Sequence, residues 1–239
     1  MKIHLVAYGD HRYSKQLAVF KAEAVQSSFF DEIHLFSPGD MNIGFYTAIY
    51  KPFKSFRGGG YWIWKPYFVK KVMDTIADDD ILIYCDAGCT INHQGKDRFD
   101  EYISLLSAAK TGTLDFLLFQ KEYQYTKREA FVHFNADEHA INSSQIHATV
   151  VLLKKCPHTV FLVNEWYHTA AIRPDLFNDE ITLEQHPDFL DHRHDQSIFS
   201  LIRKKYGANI ILDETGYFNS DLRFKYPFWA RRLKDEDYL

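Results

Sequence analysis

The sequence is poor in cysteine, with Cys85, Cys89 and Cys156 the only three among 239 residues. An odd and sparse set carries no disulfide framework, and Cys85-x₃-Cys89 has no paired partner set with which to hold a structural zinc ion. Long apolar runs are also missing. None approaches the ~20 residues that a membrane-spanning helix requires, and Met1-Lys-Ile-His-Leu-Val-Ala-Tyr8 lacks the length of a secretory signal. These absences predict a cytoplasmic protein in a reducing setting, with membrane contact confined to peripheral association at the inner face. An excess of one charge is lacking too: 28 Lys and Arg against 32 Asp and Glu leave a net charge of -4. No global basic field is available, so nucleic acid is excluded as a partner. No Pro-, Gly- or Ser-rich stretch separates two composition regimes, which predicts a single domain over residues 1–239.

Three common α/β signatures are absent. There is no G-x-x-x-x-G-K-[ST] phosphate loop, no G-x-G-x-x-G after the first apolar run, and no G-x-S-x-G elbow. P-loop, dinucleotide-binding and serine-hydrolase readings fall with them.

Aromatic residues, by contrast, are abundant: 16% of the chain, as 15 Tyr, 20 Phe and 4 Trp. Most such rings fill cores, so only clusters merit a functional reading. The densest cluster is Arg57-Gly-Gly-Gly-Tyr-Trp-Ile-Trp-Lys-Pro66.

Periodicity predicts alternating strands and helices. Ile3–Tyr8 reads as a buried strand, Tyr13–Ser27 as an amphipathic helix, and Glu32–Phe36 as a second strand closed by Ser37-Pro38-Gly39. A helix over 65–77, with Pro66 in its first turn, leads through the solvated turn Asp78-Asp79-Asp80 to the strand Ile81–Cys85. A helix near 98–109, strands at 115–120 and 148–153, and helices at 157–171 and 197–206 complete the pattern. The expected fold is an α/β sandwich on a mainly parallel sheet, with ligands gathering beyond the carboxyl ends of the strands.

Asp86 leaves the strand at such an end, and Ala87 and Gly88 give a diphosphate-bound cation room beside its carboxylate. The alternative is an Asp that caps its own turn. Gly58-Gly59-Gly60 can bring backbone amides to phosphate, or simply form a flexible turn. Arg57 and Lys65 bracket that loop with the positive charge a diphosphate leaving group needs. Tyr61, Trp62 and Trp64 suit stacking on a base or sugar, although burial of one tryptophan in the core competes with that use.

In His192-Arg-His-Asp-Gln-Ser197, His194 and Asp195 are the catalytic candidates, because a sugar hydroxyl needs a carboxylate to take its proton. Asp195 would otherwise cap a helix starting near Ser197. Lys127 and Arg128 are expected on the acceptor or phosphate side, or at a solvated helix start. Gln145, His147 and Gln196 also fall to the acceptor side, the first two alternatively as a buried strand-edge pair. The basic, aromatic tail, about 217–239, packs on the domain or meets a membrane surface or partner.

Arg57–Pro66, Tyr84-Cys-Asp-Ala-Gly-Cys89, Tyr125-Thr-Lys-Arg128 and His194-Asp-Gln-Ser-Ile-Phe-Ser200 together resemble a family of small nucleotide-sugar glycosyltransferases of the GT-A type, found in bacterial polysaccharide loci and some large viruses. The resemblance spans roughly residues 3 to 206. It implies a GT-A-like, Rossmann-type α/β/α sandwich that transfers a sugar from a nucleotide diphosphate donor, a UDP-sugar, to a hydroxyl of a glycan or glycolipid acceptor in polysaccharide or glycoconjugate biosynthesis. It places Ala7, Tyr8 and Gly9 near the base, and Asp86 where the family's D-x-D metal motif begins. Position 88 is Gly where that motif has its second carboxylate. Two options follow: Mn²⁺ or Mg²⁺ held by Asp86, phosphates and water, or Arg57 and Lys65 in the metal's electrostatic role. A sugar nucleotidyltransferase and a non-catalytic carbohydrate-binding module of the same fold are the rival readings.

Overall fold

A computed structural model describes residues 1–238. Nine strands are used as landmarks: β1 (Ile3–Tyr8), β2 (Glu32–Phe36), β3 (Ile81–Cys85), β4 (Thr90–Ile91), β5 (Thr113–Lys121), β6 (Ser144–Ile146), β7 (Val150–Lys154), β8 (Ile210–Leu212) and β9 (Phe228–Trp229). Seven of them form the central sheet in the order β2-β1-β3-β7-β5-β6, with β8 joining β5 on its other edge. β1, β2, β3, β5 and β8 run in one direction, and β6 and β7 run against them.

β1, β3 and β7 are buried on both faces and read as near-continuous apolar runs, as strands covered on both sides must. Alternate residues feed two cores. Val6, Tyr8, Leu82, Tyr84, Val151 and Leu153 face the helices Lys65–Met73, Pro157–Ile172 and His194–Tyr206. Leu5, Ala7, Ile81, Ile83, Val150 and Leu152 face the helices Ser14–Ser27 and Lys96–Ala108. The result is an α/β/α sandwich.

β6 and β7 pair in succession with the same strand, β5, in which Leu117 matches Ile146 and Thr113 matches Leu153. Between them the chain leaves the ladder at His147-Ala148-Thr149. Arg203, fully buried and ion-paired with Asp115, holds this break open by donating to the carbonyls of Ile146 (3.3 Å) and His147 (2.8 Å). Freed carbonyls and amides at a strand break need partners: Lys65 donates to the Ala148 carbonyl, Gln196 Oε1 accepts from the Ala148 amide, and the Asp86 amide donates to the Thr149 carbonyl.

Two expectations change. The helix expected from Ser197 begins at His194, with no side-chain cap, so Asp195 lies inside its first turn and is not an N-cap. Asp80, expected in a solvated turn, is buried, and its carboxylate accepts from the amides of Lys2 (2.6 Å) and Ala77 (3.1 Å).

The tail packs on the domain. β9 pairs with β4, and the Leu233 amide donates to the Gly88 carbonyl at 2.9 Å. Leu239, the end of the tail expected to pack, lies outside the described residues.

Candidate active site

A cleft of about 790 Å³ opens at the carboxyl ends of β1 and β3, a size suited to a small-molecule ligand. Tyr8, Trp64, Lys65, Asp86, Ala87, Gly88, His194, Asp195 and Gln196 line it, drawn from segments far apart in the sequence.

Its floor is a buried lysine between two acids. Pro66, which has no N–H to lose in a first turn, starts the helix that carries Lys65 under the sheet end. Lys65 Nζ lies 2.7 Å from Asp195 Oδ2 and 3.2 Å from Asp86 Oδ1, and donates to the Ala148 carbonyl in the strand break at 3.0 Å. Burial by itself lowers an ammonium pKa, but Asp195 and Asp86 outweigh it and raise that of Lys65. Asp195 moves the other way from the usual ion-paired acid: burial, opposed by Lys65 and reinforced by Asp86, lifts it to about 6. Asp86 is the more open of the two, and Tyr84 Oη donates to its Oδ1 at 2.6 Å.

Gly58 to Trp62 form a left-handed turn. Gly58, Gly59 and Gly60 have φ of 58°, 58° and 99°, and Tyr61 and Trp62 follow at 58° and 54°. Only glycine adopts this region freely, and a Cβ on Gly60 would stand 2.6 Å from Phe53 Cα. The amides of Gly59, Gly60, Tyr61 and Trp62 all bond to carbonyls of residues 56–58. The turn therefore spends those amides internally and does not offer them to phosphate. Its role is to present rings: Trp62 and Tyr61 lie against His194, with centroids 5.6 and 4.9 Å away.

His194 itself bonds through Nδ1 to the Phe177 carbonyl at 2.8 Å. Burial lowers its pKa to about 4, so at neutral pH it is an uncharged donor to that carbonyl. Tyr8 and Trp64 stack on each other at 3.8 Å, so both rings wall the cleft as a pair.

Arg57 lines the cleft as expected, but its guanidinium is ion-paired with Asp179 and Asp191, tying the glycine turn to the polar segment 173–193. Other expected site residues sit elsewhere. Lys127 Nζ is enclosed by the carbonyls of Asp175, Asn178 and Glu180 and by the Asn178 side chain. Arg128 binds Glu184 and Gln185. Both basic residues thus organise the same polar segment and do not line the cleft. Gln145 bonds to Glu122, Thr126, Ser197 and Gln196 in the interior, and His147 is buried with its pKa lowered to about 3 by burial; these two form the buried pair at the strand break. Ala7 points into the core, and Gly9 gives its amide to Phe36 in β2.

Other groups in the cleft were not singled out from the sequence. Asp10 and Arg12, just beyond β1, form a pair at 2.5 Å, and Arg12 also bonds to the Phe56 carbonyl, bracing the glycine turn. Arg193 lies over the Tyr125 ring; burial, then the nearby Arg232, lowers its pKa. Neither Arg193 nor Arg232 has an ion-pair partner among the described residues. Both guanidiniums line the cleft and give it positive charge available to an anion. The only sequence signals were the adjacency of Arg193 to His194 and the basic character of the tail.

The residues fit a divalent cation only in part. Both contacts of Asp86 fall on Oδ1, which leaves Oδ2 for an ion. A Cβ at Gly88 would lie 2.8 Å from the Leu233 carbonyl, so the tail covers the place of a second carboxylate. Mg²⁺ and Mn²⁺ commonly accept one protein carboxylate when substrate phosphates supply the remaining oxygens. Among the described residues, the one converging group of three metal-ligating side chains is His4, Glu32 and His34, at the other end of the sheet.

No protein-family model matches the chain, and no curated protein does. Solved structures do. A glycosyltransferase involved in the glycosylation of the major capsid of PBCV-1 aligns over 96% of this chain and 92% of its own, at 8% identity and a TM-score of 0.52. The fold is of the GT-A type. Mouse xyloside xylosyltransferase 1 (13% identity, 96% and 97% covered, TM-score 0.47) and the galactosyltransferase LgtC with donor and acceptor sugar analogues (12% identity, 95% and 87% covered, TM-score 0.47) are also similar. No helix is long and apolar enough to cross a membrane.

Proposed function

We propose that this chain is a glycosyltransferase that moves a sugar from a nucleotide diphosphate donor, a UDP-sugar, to a hydroxyl of a glycan or glycolipid acceptor. The observation that carries this reading is the floor of the cleft, where one buried ammonium bridges Asp86 and Asp195 in a cleft that Arg193 and Arg232 also line. One carboxylate faces the donor's leaving group and the other the reacting centre.

Asp195 has the properties of a base. Its pKa of about 6 leaves it ionised at neutral pH and close enough to that pH to accept a proton. In an inverting transfer it takes the acceptor's proton; in a retaining one it stabilises positive charge developing on the sugar. Lys65, on the cleft floor, holds both carboxylates in place. Arg193 and Arg232, which line the same cleft as Arg57 and Lys65 but have no carboxylate partner among the described residues, are the cations that steady the departing UDP. Asp86 Oδ2, with the diphosphate oxygens, would hold Mn²⁺ or Mg²⁺, and the ion would supply further charge neutralisation to the leaving group. The Tyr8–Trp64 pair and the Trp62 ring are the walls for base and sugar. The packing of the basic tail against Gly88 supports a part for it in the site rather than at a membrane surface.

The test is a thermal-shift screen of nucleotides and nucleotide sugars with and without Mn²⁺, since a ligand of the native state raises the melting temperature. Donor turnover is then measured in Asp86→Ala and Asp195→Ala. Stabilisation by UDP species and loss of turnover in both variants are expected; no shift with any nucleotide, or turnover surviving both changes, overturns the reading.

A further inference from the structure

At the amino-terminal end of the sheet, roughly 13 Å from the cleft by the rise of β1, three metal-ligating side chains meet on one face. The parallel register pairs His4 with Glu32, and Glu32 and His34, two residues apart on β2, point the same way. His4 Nδ1 is 3.2 Å from His34 Nε2 and 3.6 Å from Glu32 Oε2, and His34 Nε2 is 3.8 Å from the same oxygen. Nitrogen and oxygen ligands bound at about 2.0–2.2 Å to a tetrahedral ion stand roughly 3.3–3.5 Å apart. The triangle is close to that size before any ion draws it in.

The surroundings suit a ligand role. His4 is buried, and its Nε2, without a hydrogen-bond partner of normal length, faces Asp80 Oδ2 at 3.5 Å. Two backbone amides fix that carboxylate. A carboxylate on the outer nitrogen keeps the proton there and turns the Nδ1 lone pair toward His34 and Glu32, the usual arrangement behind a metal-bound histidine. Lys2 takes the other oxygen of Glu32, Oε1, at 2.8 Å, leaving Oε2 for the triangle.

We propose that His4, Glu32 and His34 bind a divalent transition-metal ion of the zinc class, clasping the edge strand β2 to β1, with Asp80 as the positioning residue behind His4. Two imidazoles and one carboxylate select zinc-like ions over Mg²⁺ and Ca²⁺, which prefer all-oxygen sets. The site is separate from any ion held by Asp86 and independent of the glycosyltransferase reading.

The experiment titrates Zn²⁺ into the chelator-stripped full chain in competition with a chromophoric chelator, and repeats the titration with Co²⁺, whose visible absorption reports coordination geometry. Expected are one equivalent of ion, intense tetrahedral Co²⁺ bands, and a loss of affinity of at least ~10-fold in His34→Ala and in Glu32→Gln. Asp80→Asn weakens binding by about 10–100-fold while keeping the Co²⁺ bands. Asp86→Ala retains the equivalent. Circular dichroism checks each fold, and half-exposed Glu32 carries the test if His34→Ala does not fold. No binding, which leaves only an imidazole–imidazole hydrogen bond, overturns the proposal. So does undiminished binding in His34→Ala or Glu32→Gln, or loss of the ion in Asp86→Ala.

Discussion

Lys65 Nζ sits 2.7 Å from Asp195 Oδ2 at the base of the cleft, with neither group open to bulk water. A buried pair of this kind contributes little net stability when intact but is expensive to halve. Lys65→Met is expected to destabilise the chain by about 3–5 kcal/mol in urea unfolding, and to lower turnover by at least ~10²-fold. Lys65→Arg should not restore activity, because a planar guanidinium does not fit where three oxygens surround one ammonium.

Asp195 titrates at about 6, raised by burial. As the base, it must be ionised, so kcat/KM is expected to rise with pH through that value and level off above it. The linked stability has the opposite sign. The folded chain holds this proton more tightly than the unfolded one, whose aspartate titrates near ~3.9, so stability falls as pH rises from about 4 to about 6. Asp195→Asn removes that slope. Urea midpoints of both proteins at pH 4 and pH 8 check it: the variant should gain relative to the parent at the higher pH.

The glycine turn makes a steric prediction. Gly60 combines φ of 99° with a Cβ position 2.6 Å from Phe53 Cα, so Gly60→Ala should cost about 1–3 kcal/mol and weaken nucleotide binding by displacing Trp62. Gly39, whose nearest neighbour to an added Cβ is 3.8 Å away, should accept Ala within about 0.5 kcal/mol. Chemical denaturation of the two variants gives the comparison.

Cation roles separate by nucleotide affinity. Arg193→Ala and Arg232→Ala should each raise the Kd for UDP about tenfold, equivalent to ~1.4 kcal/mol, and flatten its dependence on salt. Arg57→Ala breaks only half-exposed pairs with Asp179 and Asp191 and should change stability by at most about 1 kcal/mol. Calorimetric titration at two salt concentrations distinguishes the two behaviours; equal losses in all three variants would contradict the assignment.

Gly88→Asp, which rebuilds a D-x-D spacing, should not create a stronger metal site. The new side chain meets the Leu233 backbone at 2.8 Å, so the tail must lift. Faster proteolysis after residue 225, with Mn²⁺ affinity no higher than the parent's, is the expected pair of results.

Much of this molecule is legible in one dimension. The runs Ile3–Tyr8, Ile81–Cys85 and 148–153 announce buried strands because a strand covered on both faces must be apolar at nearly every position, although the third starts two residues later, at Val150. Asp86 could be placed at a strand's carboxyl end because the apolar run stops there. Helix boundaries shifted by a few residues, and at His194 the shift mattered, since a positive φ of 47° starts the helix where periodicity alone shows no beginning.

Which charges meet was decided only by the tertiary structure. Lys65, Asp86 and Asp195 are separated by up to 130 residues, and no local pattern says that a lysine in a first helical turn will be buried between two acids. The same holds for Arg57, whose charge is taken up by Asp179 and Asp191, and for Arg193 and Arg232, left without carboxylates. Sequence alone determined the alternation of strands and helices and the strand end at which a ligand would gather, because both follow from hydrophobic periodicity along the chain. Packing decided which cations are spent and which remain for an anion, because burial and pairing depend on distances that the chain's order does not contain.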